Sequence, residues 1–288
     1  MGLIDPQVKQ AADIFGERQL LECAPAWARG LGRDDQEALC SLFSEPEEHL
    51  AKTELKSQTC CDDRLHILLE GWVSRFVRTP DGRHQIMSIG LPGDLLDVEC
   101  LYHAKAHYGL AAISDCRVVV LSRSQLGALI RERPEIGFAI GSALSQDNFR
   151  LGEDAARLGR RTAREKMAHF FCESVSRLAE ISSPSWRGYH FPVIQEQLAS
   201  ILGLSVVHVN RTLQDLRADN LVELRAQRIR IPDWDALARV AQFDRDMIRA
   251  ETAPIEVHRA NKTQKADPAN MQRKEIRSDL KIASFGEA

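Results

Sequence analysis

The sequence predicts an α+β protein in three successive parts: an all-β unit, a long amphipathic helix, and a C-terminal helix pair closed by a hairpin. Three observations carry this reading. Short apolar runs broken by turn residues occupy roughly residues 64–122. From Pro134 apolar residues recur at helical steps. Finally, "QEQLASILGLSVVHVNRTLQDL" reads as two helices around a glycine, with two short alternating strands directly after it.

The bulk properties set limits on function. At 288 residues and 44% hydrophobic content the chain can build two modest cores. A net charge of -3 gives no whole-molecule attraction to nucleic acid or an anionic membrane, so any such binding must come from a local patch. The seven cysteines, at 23, 40, 60, 61, 100, 116 and 172, lack the spacing of a disulfide framework and favour a reducing, cytoplasmic setting. No apolar run approaches the ~18 residues of a membrane span. The opening "MGLIDPQVKQ" carries no expected targeting signal.

Residues 1 to about 50 are patterned as helix, with Leu20, Leu21, Trp27 and Leu31, then Ala38, Leu39 and Leu42. In "LHILLEGWVSRFVRTPDGRHQIMSIGLPGDLL", Pro80-Asp81-Gly82 and Pro92-Gly93-Asp94 supply turn chemistry between strand-like runs, and "CRVVVLS" adds another. A compact all-β unit follows from that spacing. The stripe Ile136, Ile140, Leu144, Leu151, Ala155 and Leu158 can pack on its own domain or on a copy of itself. Arg160 to Leu178 reads as a further helix, "SSPSWRG" as a loop, and the segment after Trp234 as a short helix. Beyond residue 252 the chain is polar and of mixed charge, which reads as a disordered tail.

The helix pair carries the chemistry. Ala199 allows a close crossing, Gly203 suits a turn with positive φ, and Ser205 is a good N-cap. Val209, Leu213 and Leu216 then fall on one face, to meet Leu198 and Ile201 or Leu202. The opposite face is Val206, Val207, Asn210, Arg211 and Gln214. Arginine can chelate guanine, valine can touch a thymine methyl, asparagine can bond adenine or a phosphate, and the Ser205 helix start suits a phosphate oxygen. The strands after it place Arg225, Arg228 and Arg230 at or near a turn, as a wing. Residues 159–235 hold eleven Lys or Arg against nine Asp or Glu, so the field is concentrated rather than global. The expected DNA-binding residues are Ser205, Val206, Val207, His208, Asn210, Arg211, Gln214 and Arg228.

With these residues in view, the chain resembles the Crp/Fnr superfamily of bacterial transcription regulators, especially its alphaproteobacterial members. The resemblance covers roughly residues 30–245. It rests on "LLEGWVSRFVRTPDGRHQI", "LPGDLLD", "GRRTAREKMAHFFCE" and "LGLSVVHVNRTLQDLRADNLVELRAQRIRI". It implies a cyclic-nucleotide-binding-like β-roll (30–133) after an N-terminal extension (1–29), a dimerisation helix (134–158) and a winged helix-turn-helix (159–235), with the tail at 252–288. A homodimer on a two-fold operator of double-stranded DNA is the implied assembly, with RNA polymerase as the further partner.

Departures from the family pattern sharpen these expectations. Cyclic-nucleotide members set an arginine followed by Ser or Thr against the phosphate, and Ala106 and His107 stand there, with Lys105 the nearby cation. Cys23 and Cys40 stand apart from any cluster of closely spaced cysteines, which argues against an iron-sulfur centre. No cofactor and no metal are therefore expected, and the sequence assigns no effector. Val207 occupies the position where many members carry a glutamate, so an operator unlike the usual consensus is expected.

Blander readings stand beside these. Cys60 and Cys61 are an adjacent pair that a redox role would use, although Asp62 and Asp63 beside them argue against a reactive thiol. Cys172 beside Phe170 and Phe171 reads as packed core. His66, His84, His103, His107 and His169 read as roll, surface or helix-packing residues. No phosphate-binding loop or nucleophile motif is present, so no enzyme is expected. The alternative function is a regulatory ligand-binding subunit, or a protein-interaction module, without DNA binding.

Overall fold

A computed structural model describes residues 25–103, 105–182 and 188–244. The expectations for residues 1–24 and for the tail at 252–288 lie outside the described residues, as does most of the "SSPSWRG" loop.

The N-terminal unit is a two-sheet roll. A 3-10 turn at Ala26–Ala28 and helix α1 (Arg33–Cys40) lead into strands β1 (Glu47–His49), β2 (Glu54–Lys56), β3 (Arg64–Glu70), β4 (Val73–Arg78), β5 (His84–Gly90), β6 (Gly109–Ala112) and β7 (Cys116–Ser122). One sheet has the order β1-β7-β3 and the other β2-β6-β4-β5, with every pair antiparallel. The strands at 64–70, 73–78, 84–90 and 116–122 are those the apolar runs predict. β1, β2 and β6 are three or four residues long, too short to show a period. Both expected turns form. Thr79 N donates to Arg83 O at 2.8 Å across the β4–β5 turn. Asp94 Oδ2 accepts from Leu91 N at 2.8 Å, and Gly93 N donates to Leu68 O at 2.8 Å. At Gly109 a Cβ would lie 2.3 Å from Phe76 Cζ, so only glycine lets β6 pass beneath that ring.

Helix α2 (Arg123–Glu132) closes the roll, its N-cap Ser122 accepting from Gln125 N. Helix α3 then runs over Pro134–Arg160, two residues beyond the expected 158, with proline in its first turn. Its stripe divides. Ile136 and Ile140 are buried against the roll and Leu144 packs beside them, whereas Leu151 and Leu158 are exposed together with Phe138 and Phe149. The N-terminal half of the stripe is thus covered by the roll, and the open face combines its C-terminal leucines with two phenylalanines outside it.

Arg161 is extended (φ -82, ψ 147), and helix α4 (Ala163–Ile181) begins afresh with a capping box. Glu165 N donates to Thr162 Oγ1, and Thr162 N donates to Glu165 Oε2 at 2.7 Å. Beyond it lie β8 (Tyr189–His190), helices α5 (Gln195–Leu202) and α6 (Val206–Ala218), strands β9 (Glu223–Arg225) and β10 (Arg228–Arg230), and helix α7 (Trp234–Ala241). The core of this unit collects Met167, Phe171 and Cys172 of α4, Leu198 and Leu202, Val209, Leu213 and Leu216, Ile229, and Leu237 and Ala241. It therefore extends past 235, through α7. Burial pushes the Cys172 thiol up to about 12, in keeping with a packed side chain rather than a reactive one.

The roll and the C-terminal unit pack on each other. Trp72 meets Phe191 edge to face at 5.2 Å, and Ile86 and Leu91 join the same apolar cluster. Among the described residues no helix is long and apolar enough to cross a membrane.

Candidate nucleic-acid interface

The turn between α5 and α6 is built by its sequence. Gly203 sits at φ +62, ψ 40, and Leu204 N donates to Ala199 O at 3.0 Å, which reverses the chain within three residues. Ser205 Oγ accepts from His208 N at 3.2 Å and Val209 N donates to Ser205 O, so α6 starts where the N-cap predicts. Leu158 of α3 lies beneath this turn, its Cδ2 3.4 Å from the position of a Cβ on Gly203.

Helix α6 has two distinct faces. Val209, Thr212, Leu213 and Leu216 are buried. Ser205, Val206, Val207, His208, Asn210, Arg211 and Gln214 are all exposed, and Val207 is 81% exposed. An apolar side chain this open, next to a guanidinium that holds no partner among the described residues, is surplus to folding. Such a surface can meet a base edge and a thymine methyl.

The wing is a tight hairpin. Arg228 pairs with Arg225 across a turn in which Ala226 (φ 47) and Gln227 (φ 56) are both left-handed. Its arginines differ in use. Arg230 is paired with Glu223 through Nε (3.0 Å) and Nη2 (2.6 Å). Arg228 is half-buried and donates to Gly188 O at 3.0 Å, fastening the edge of β8. Arg225 is the wing arginine that stands exposed at the tip. The structure thus gathers seven of the eight sequence-predicted residues on one surface of α6, and places Arg228 in the base of the wing.

A second group escaped the sequence reading. In the roll, Lys56 Nζ donates to Arg64 O (2.8 Å) and lies 3.0 Å from both Asp97 Oδ2 and Asp62 Oδ1. Asp97 also accepts from His66 N (2.8 Å) and meets His66 Nδ1 at 2.8 Å. Lys56, His66 and Asp97 are all buried. Burial alone would lower the lysine and raise the acid, but their pairing wins: Lys56 is held above its ordinary range and Asp97 below its own. Ala106 is buried nearby, its N donating to Cys60 O at 2.9 Å, while Lys105 and His107 are exposed. Lys56, a buried cation of the roll, is therefore already committed to carboxylates. The sequence signal was the acid of "LLDV", a charge inside an apolar run.

His103 and His107 bring their rings within 4.7 Å, yet among the described residues no group of three His, Cys, Asp or Glu side chains can hold a metal ion.

The fold and this surface define a class: a cyclic nucleotide-binding domain followed by a Crp-like helix-turn-helix domain. Family models bearing those two descriptions match residues 56–133 and 165–240. The chain belongs to the Crp/Fnr superfamily and is a transcription regulator of that type. Among its relatives is the nitrogen fixation regulation protein FixK of Azorhizobium caulinodans, 25% identical over 74% of this chain and 87% of that one. The transcriptional activatory protein AadR of Rhodopseudomonas palustris is 27% identical over 65% of this chain and 78% of that one. In fold, the solved structure of FixK2 from Bradyrhizobium japonicum superposes with a TM-score of 0.61 at 22% identity, covering 68% of this chain and 96% of that one.

Proposed function

We propose that the chain regulates transcription as a homodimer on a two-fold operator, with the outer face of α6 in the major groove and the wing beside the phosphate backbone. The observation that carries this reading is the exposed row Val206, Val207, Asn210, Arg211 and Gln214 behind the Ser205 cap. Arg211 is assigned to a guanine, the two valines to thymine methyls, and Ser205, with the N-terminus of α6, to a phosphate. His208 borders the same surface, and Arg228 acts through the wing. The exposed Phe138, Phe149, Leu151 and Leu158 on α3 favour pairing of that helix with its copy over residues 134–158. RNA polymerase is the protein partner, activation is supported by the names of the relatives, and the cytoplasm is the compartment.

The test is selection of bound duplexes from a random double-stranded pool by the full chain at ~0.15 M salt. An enriched two-fold sequence supports the reading. Enrichment of nothing, with and without reductant, would leave the chain as a ligand-binding or protein-interaction module.

A further inference from the structure

Where the roll, α3 and α4 meet lies a narrow cleft lined by Arg75, Ser88, Arg150, Arg157, Glu173 and Phe170 among others. Its floor holds an unusual group. The Arg157 side chain is 2% exposed, stands 5.6 Å over the Phe170 ring, and pairs through Nη2 with Asp154 at 2.6 Å. Among the described residues its Nε and Nη1, and the Nε of buried Arg75, have no hydrogen-bond partner. Buried N–H donors of a guanidinium without an acceptor are rare, because each forfeits its solvation.

The acids nearby meet this demand only in part: Asp154 Oδ1 lies beside Arg157 Nη2, yet among the described residues it closes no hydrogen bond with Nε or Nη1. Asp147 is shared between Arg75 Nη2 (3.1 Å) and Arg150. Asp94 is taken by Arg177, which also donates to Ile89 O at 3.1 Å. Asp154 is pushed up to about 7, first by burial and then by its neighbour Glu173, so near neutrality it gives Arg157 an incomplete counter-charge.

We infer that this cleft is a binding site for a small planar oxyanion, a monocarboxylate or its nitrate-like equivalent, taken between the guanidinium groups of Arg157 and Arg75. A flat acceptor-only monoanion matches guanidinium donors that lack acceptors. The site also has a position from which to act. It touches β4 and β5 of the roll, the long helix and α4, so an occupant ties the DNA-binding unit to the sensor. This deepens the regulator reading and rests on it for its purpose, though not for its chemistry.

The experiment is thermal unfolding and calorimetric titration of the DNA-free full chain with sodium formate, acetate and nitrate, against sodium chloride and sodium phosphate at equal ionic strength. Formate, acetate or nitrate is expected to raise the melting temperature saturably at millimolar concentration, with the strongest of the three naming the source. Arg157→Met is expected to weaken the apparent affinity at least about tenfold, and Arg157→Lys to retain part of it. Should Arg157→Met not fold, Arg150→Met, at a half-open wall of the cleft, is expected to weaken the same response. Equal responses to formate, nitrate and chloride in the wild type, or an unchanged response in Arg157→Met, would overturn the site. Because no DNA is present, that result leaves the duplex selection standing, and a failed selection leaves this titration standing.

Discussion

Ser200 of α5 and Ile86 of β5 are joined across the two units: Ile86 N donates to Ser200 Oγ at 2.9 Å, and Ser200 Oγ donates to His84 O at 3.3 Å. The next side chain, Gln85, donates from Nε2 to Ser200 O at 2.6 Å. The first helix of the DNA-binding pair is thus fixed to an edge strand of the sensor roll. Ser200→Ala should cost about 1 kcal/mol and leave Ile86 N without its acceptor. Faster amide hydrogen exchange at Ile86, with the α4 core unchanged, is the expected reading.

Asp97 holds Lys56 and His66 together inside the roll. Asp97→Ala should destabilise the protein by about 3 kcal/mol, because it leaves the buried Lys56 ammonium with only the less buried Asp62 and strips His66 N of its acceptor. The sign of the acid response follows from the depressed Asp97 value. Its stabilisation is complete above the ordinary carboxylate range and fades as pH falls through the lower folded value. Urea unfolding of wild type and variant between neutral pH and pH 3 tests both statements, and their stabilities should converge in acid.

His169 is 3% exposed, packs edge-on against Phe243 at 5.4 Å, and its Nδ1 has no partner among the described residues. Burial first, then the charges of Arg161 and Arg157, push it down to about 3, and the carboxylate of Glu153 at 3.5 Å does not reverse this. The folded protein therefore keeps His169 neutral while the unfolded chain takes up a proton near its ordinary value of 6.5. Stability is complete above that value and falls toward pH 3, with a limiting slope of about 1.4 kcal/mol per pH unit. His169→Gln should flatten that slope, measured by denaturant titration at several pH values.

Arg211→Ala is expected to lose about 1–3 kcal/mol of operator affinity and to relax selectivity at one base pair per half-site. Competition binding with point-substituted duplexes checks it, and an unchanged rank order of those duplexes would remove Arg211 from base reading. Val207→Glu should instead change which operator is selected while the fold is kept, since that side chain stands free of the core.

Phe149→Glu places a charge on the exposed face of α3. Sedimentation should show a shift from dimer to monomer, with far-ultraviolet circular dichroism unaltered and operator affinity sharply reduced.

Much of this was legible along the chain. The alternation and turn residues of 64–122 marked the roll, and the Ala199, Gly203 and Ser205 spacing marked the helix pair down to its cap. Val207 and Arg211 could be placed on the outer face from helical period alone. What escaped was nonlocal. Arg228 was grouped with the other wing arginines, yet its bond to Gly188 O depends on β8, forty residues away in sequence. Lys56 and Asp97 meet across forty-one residues, and no local pattern announces such a pair.

The sequence by itself determined the longer strands, the long helix, the helix pair and the outer face of its second helix, because helix and strand periods, caps and turns are set by neighbours a few residues apart. Tertiary structure alone decided which half of the α3 stripe is covered, where the DNA-binding unit rests on the roll, and that Arg157 is buried short of acceptors. Those outcomes depend on which distant surfaces exclude water from one another, and burial is a property of the packed whole.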